Sequence, residues 1–162
     1  MKFTKYIQAL LITVAIMSGG CEDQYLDAPT NPDKEKLLRL VNEVRATGCN
    51  CGNDYYPPVN AVVWNEQLEE AAQKHSTDMK KHKDLNHEGS DGSSAGDRIN
   101  ATGYSWNTYG ENIAVGYPTE EKVIQGWLQS IGHCKNIMNG NFTQMGVATS
   151  GAYWTQVFAR PN

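Results

Sequence analysis

Four cysteines, Cys21, Cys49, Cys51 and Cys134, constrain this chain more than any other feature, because the segment before the first sets the compartment in which the others fold. Lys2 and Lys5 give a positive start, and the apolar run from Tyr6 to Met17 is broken only by Gln8 and Thr13. That run is shorter than the roughly 20 apolar residues of a spanning helix and fits the hydrophobic stretch of a secretory signal. Residues 1–20 are therefore expected to be a signal peptide, and residues 21–32, polar and without period, a tether. In an oxidising compartment one disulfide is expected among Cys49, Cys51 and Cys134, with one thiol left over. Cys49-Asn50-Cys51 is too tight for an easy mutual bridge and lacks the two-residue spacing of a zinc knuckle. One of the two is thus expected to meet Cys134, closing a loop of roughly 80 residues.

Ser18-Gly19-Gly20 directly before Cys21 resembles a bacterial lipoprotein site, although the position three before the cysteine, ordinarily aliphatic, is Ser18. The expectation is lipidation of Cys21, with acyl chains as the membrane anchor, and an extracytoplasmic address at the bacterial cell surface or periplasm, secreted or anchored. At 40% hydrophobic and 20% charged residues over its full length, the chain can build a core. The formal net charge of −4 argues against nucleic acid, which needs a basic surface. The run Lys80, Lys81, Lys83 is flanked by Asp78 and Asp84 and is expected to be a solvated helix face.

Residues 33–160 read as one domain. Asn31-Pro32-Asp33 looks like a helix start, with Asn31 as the cap and Pro32 in the first turn, followed by a face of Leu37, Leu40, Val41 and Val44 up to Gly48. Gly52 to Pro58 reads as a loop and Val59 to Trp64 as a short extended piece. Asn65 caps a second helix to about Lys83, its stripe formed by Leu68, Ala71, Ala72, His75 and Met79. Leu85 to Gly110 has little period, with one helical turn expected from Asp97 to Thr102; such a stretch in a small domain is often functional. Ile113 to Val115 reads as a strand, and Thr119 caps a third helix ending before Gly132, with another turn from His133 to Met138. A hairpin follows, Met145 to Thr149 and Tyr153 to Phe158 around Ser150-Gly151. This order predicts an α+β domain with a small antiparallel sheet. Trp64, Trp127 and Trp154 are expected in the core and Trp106 at the surface.

Of four histidines, His87 and His133 lie where loops present side chains from a scaffold. His75 belongs to an apolar stripe and is expected to be a core residue; His82, among lysines, a solvent one. The two-histidine helical zinc motif fails, since Asp91 stands where the second histidine should be, and the calcium-loop pattern fails at Thr102. No serine sits in a hydrolase elbow. Gly110-Glu111-Asn112-Ile113-Ala114 is suggestive, with Gly110 expected to turn the backbone and Glu111 to stand at the entry to a strand.

Six segments in order resemble the compact bacterial branch of the CAP superfamily of cysteine-rich secretory proteins, antigen 5 and pathogenesis-related proteins. They are Ala72 to Met79, Leu85-Asn86-His87, Gly103-Tyr104 with Gly110 to Ala114, Trp127 to Met138, Gly146-Val147-Ala148, and Tyr153 to Phe158. The resemblance implies an α-β-α sandwich with a three-stranded antiparallel sheet between helical layers. It also implies a cleft formed by His87, Glu111, the position of Ser130, and His133. The animal proteins carry a second acid where this chain has Ser130, so a mechanism needing both acids is in doubt. The same resemblance selects Cys51, which precedes Gly52, as the partner of Cys134, leaving Cys49 spare.

Such a cleft suits a divalent cation: two neutral imidazoles, His87 and His133, can take two positions of a tetrahedral zinc, with Glu111 as orienter, ligand or base. The opposing reading is a buried hydrogen-bonded cluster that holds loops together. For function, the expectation is an exported binding module for a lipid or protein partner. The alternatives are a metal-assisted peptidase with Glu111 as general base and a structural surface protein. Sequence alone does not choose the ligand.

Overall fold

A computed structural model describes residues 32–162. The expected signal peptide, the lipidation site Cys21 and the tether up to Asn31 lie outside the described residues. None of the described helices is long and apolar enough to cross a membrane.

The chain runs α1 (Lys34–Thr47), β1 (Cys49–Cys51), β2 (Asp54–Tyr56), β3 (Val63–Trp64), α2 (Glu66–His82), α3 (Ala95–Ala101), β4 (Trp106–Val115), α4 (Glu120–Gln129), α5 (Ile131–Ile137), β5 (Gln144–Ser150) and β6 (Tyr153–Pro161). The long strands β5, β6 and β4 form an antiparallel sheet, and β3 adds a two-residue parallel edge, giving the order β3-β5-β6-β4. This is an α+β fold, an α-β-α sandwich. Alternation along β5 and β6 builds its two layers. Met145, Val147, Trp154 and Phe158 face a core with Leu37 and Val41 of α1, Val123 and Trp127 of α4, and Ile137 of α5. Ala148, Val157 and Ala159 face Leu68, Ala71 and Ala72 of α2 and Ile99 of α3. Small residues on the second face let α2 lie close to the sheet. A Cβ on Gly146 would stand 2.2 Å from the Glu69 backbone nitrogen, so no larger residue fits there.

Several elements differ from the sequence reading. The first helix is capped by Asp33, whose side chain accepts from the Lys36 N–H, in place of Asn31. The segment read as a loop after Cys51 contains half of the β1-β2 hairpin, a two-stranded sheet on its own. β4 is ten residues long rather than three, because its pairing with β6 overrides the weak local pattern of Trp106 to Asn112. The turn near Asp97 is a full helix, closed by a capping box between Ser94 and Asp97. The third helix breaks at Ser130, which leaves helical geometry (φ −90°, ψ 122°) and starts α5.

Among the tryptophans, Trp127 and Trp154 are buried, and their indole N–H groups donate to the carbonyls of Ile113 and Tyr117. Trp64 is only half-buried, its N–H tied to Glu69 at 3.0 Å. Trp106, expected at the surface, is half-buried too, edge-on to Tyr109 at 4.5 Å. In the strand, its neighbours cover what a loop would expose.

Candidate functional site

Glu111 lies in the middle of β4, paired with Val157 of β6, and not at a strand entry. Gly110 before it serves close packing rather than a turn: a Cβ there would meet the Phe142 ring at 2.9 Å and Asn136 Oδ1 at 3.1 Å. That contact lets α5 dock on the strand. Asn136 donates to the Glu111 carbonyl (3.1 Å) and to Asn112 Oδ1 (2.8 Å). Asn112 in turn donates to the His133 carbonyl (3.2 Å) and to Gln156 Oε1 (2.9 Å). A polar ladder thus fixes the helix carrying His133 against the strand carrying Glu111.

The carboxylate of Glu111 is 4% exposed and fully engaged. Its Oε1 is 2.8 Å from His87 Nδ1, and its Oε2 accepts from Arg98 Nη2 at 2.7 Å. Arg98, itself 8% exposed, also donates to the His87 carbonyl (3.0 Å) and the Ser93 carbonyl (2.8 Å), so one guanidinium ties acid, histidine and loop together. Burial alone would push the Glu111 carboxyl up; the bond from His87 and the charge of Arg98 outweigh it and hold it below the ordinary carboxylate range. Because His87 gives Nδ1 to the carboxylate, its Nε2 is the nitrogen left for a ligand, on a ring that is 57% exposed.

His133 is half-buried in the first turn of α5; burial, and then the charge of His87, lower its pKa. Ser130 forms the junction between α4 and α5, makes no capping bond with its side chain, and is joined by no described hydrogen bond to His87, Glu111 or His133. A cleft of about 520 Å³ opens beside the carboxylate, lined by His87, Glu88, Gly92, Ser94, Ala95, Tyr109 and Glu111. His133 does not line it.

Two residues escaped the sequence reading. His75 is fully buried as expected of a core residue, but it also stands beside the acid, with Nε2 at 2.8 Å from the Asn86 carbonyl and 3.8 Å from Glu111 Oε1. Arg98 is the larger omission. It is the one Lys or Arg between Lys83 and Lys122, and that isolation beside several acids was the available signal.

Fold and site together define a sandwich domain whose edge strand β4 presents a glutamate locked between a histidine and an arginine. The profile of the cysteine-rich secretory protein family, CAP, matches residues 38–158, and the chain belongs to that family. It is 43% identical over 96 residues to the uncharacterized protein YkwD of Bacillus subtilis (strain 168), a match covering 58% of this chain and 37% of that protein. The chain therefore spans well under half of this curated relative. Among solved structures, an extracellular protein containing a SCP domain from Bacillus anthracis superposes with a TM-score of 0.68 at 31% identity, covering 78% of this chain and 39% of the other. An outer surface protein of Borrelia burgdorferi shares the fold, with a TM-score of 0.66 at 18% identity over 82% of this chain and 98% of the other.

Proposed function

We propose that this chain is an exported, lipid-anchored binding module of the bacterial cell surface or periplasm that holds a divalent cation, zinc by donor type, between His87 at the rim of the cleft and His133 on the neighbouring helix α5. One observation carries the reading of the site. Both oxygens of Glu111 are committed, one to His87 Nδ1 and one to Arg98, which is the arrangement that orients an imidazole for metal binding through its other nitrogen. The donor set suits zinc better than calcium, which wants more oxygen ligands. His87 and His133 would hold the ion, and Glu111 and Arg98 would hold His87. A bound zinc would supply a Lewis-acid centre with positions open to a ligand. Commitment of Glu111 also disfavours the peptidase alternative, since a general base needs a free oxygen and a pKa near the working pH. The extracellular and surface proteins with this fold support the exported address.

Calorimetric titration with zinc tests the cleft. His87→Ala and His133→Ala are each expected to weaken binding at least tenfold, and Glu111→Gln to weaken it less. Affinity should fall as the solution is acidified, because protonated imidazole does not ligate. Equal affinity in wild type and both histidine variants would overturn the metal. The ligand or partner of the cleft, a lipid or a protein, is a separate matter, read by co-purification.

Anchoring has its own test. In a bacterial host supplied with labelled palmitate, the full chain should incorporate label and sediment with membranes. Cys21→Ser should abolish both, and a variant that still takes label would remove the anchor from this account.

A further inference from the structure

The three cysteines of the folded domain form one sulfur cluster. Cys51 is bridged to Cys134, joining β1 to α5, and the thiol of Cys49 is free. In the strand β1, residues two apart share a face, so Cys49 and Cys51 both present sulfur to Cys134. The Cys49 and Cys134 sulfurs are 3.6 Å apart, and all three lie within 4.8 Å of one another. Exposure differs sharply: Cys51 is 1% and Cys134 0% exposed, while Cys49 is half-buried at the edge of the cluster. A thiol from solution cannot reach either bridged sulfur without opening the core.

We infer that Cys49 is an internal exchange nucleophile that transfers the buried Cys51–Cys134 disulfide to the surface, where an external dithiol can reduce or re-form it. This is independent of the cleft and of any metal there. In the first step the Cys49 thiol gives its proton to water and the thiolate attacks Cys134 Sγ. The Cys49–Cys134 bond forms, the Cys51–Cys134 bond breaks, and the electron pair leaves on Cys51, which takes up a proton. Nothing is oxidised or reduced overall. The sulfurs need to approach by only about 1.5 Å, from 3.6 Å to the roughly 2.05 Å of a disulfide. In the second step a thiolate of the external dithiol attacks Cys49 Sγ, releasing Cys134 as a thiolate. The second thiol of the reagent then displaces Cys49, so the domain gains two electrons and the reagent becomes a disulfide. Burial pushes the resting Cys49 thiol up, which keeps the first step slow in the absence of a reductant.

The test compares the full chain with Cys49→Ser in native buffer containing dithiothreitol, following the bridge by alkylation and fragment-ion mass spectrometry. Cys49→Ser keeps Cys51 and Cys134 and is expected to fold with an unchanged melting temperature. Its bridge should be reduced at least tenfold more slowly than in wild type. Equal rates would overturn the relay, because reduction would then proceed by opening of the core. A second variant, Cys51→Ser, should carry a Cys49–Cys134 bridge in a non-reduced digest. Finding both thiols free in a folded Cys51→Ser chain would likewise overturn it, and if that variant does not fold, the Cys49→Ser rates decide.

Discussion

Arg98→Met is expected to lower the stability of the domain by about 3–5 kcal/mol, the usual cost of removing one partner from a buried ion pair. In thermal melts that is a fall of roughly 10–20 °C for a domain of this size. The reason lies in what remains. Glu111, 4% exposed, would keep its charge beside His87 alone, and the Ser93 and His87 carbonyls would lose their donor. Glu111→Met in the same background should recover much of the loss, since the uncompensated charge would be gone; a double variant no more stable than Arg98→Met would show that loop tethering dominates. The acid limb carries the same signature. A carboxyl depressed in the folded state contributes stability that is fully present above its unfolded pKa, about 4.3, and is lost as pH falls through its lower folded value. Glu111→Gln should flatten the stability profile over that acid window and leave its neutral slope unchanged, as differential scanning calorimetry from pH 2 to 7 would read.

Arg45→Met is expected to cost a similar amount, about 3–5 kcal/mol, for a different reason. Arg45 is fully buried on α1 and meets no carboxylate. It donates to the carbonyls of Asn60 (2.8 Å), Ile137 (2.7 Å), Asn139 (3.1 Å) and Phe142 (3.1 Å), closing the C-terminal end of α5 and the loop leading to β5. Burial pulls its pKa down to about 10, so it is still charged at neutral pH and serves as a cationic cap on the negative end of a helix. Methionine fills the space but leaves these carbonyls without their donor, at about 1–3 kcal/mol for each that water does not reach. Urea unfolding should show the midpoint fall with the slope m unchanged. A loss below about 1 kcal/mol would mean that water replaces the guanidinium.

Helix α2 and the β5-β6 hairpin were legible because their apolar residues follow the periods of helix and strand without interruption, from Leu68 through Met79 and from Met145 through Phe158. His75 was correctly read as interior on the same ground. The long strand β4 was not legible over Trp106 to Asn112. Its polar and glycine residues are chosen for what crosses them: Gly110 for the approach of Phe142, Asn112 for the ladder to α5, and Glu111 for Arg98. The break at Ser130 was hidden for a similar reason, since α4 and α5 are consecutive helices separated by a single non-helical residue. The cleft residues His87 and Glu111 could be picked out as rare chemistry in irregular sequence; Arg98 was passed over, because a lone arginine in a polar stretch reads as solvated unless its isolation among acids is weighed.

By itself, the sequence determined the α+β class, the three longer helices, the terminal hairpin and family membership, all of which rest on local periodicity, capping residues and the order of short segments. Which of Cys49 and Cys51 meets Cys134, and how near the other remains, is settled by tertiary structure: residues two apart on a strand share a face, and only the position of α5 separates them. Tertiary structure also decided that Glu111 is a clamped carboxylate. A glutamate carries no local sign of its partners, and the two that hold it arrive from segments 24 and 13 residues away, brought together by the packing of a loop and a short helix against one strand.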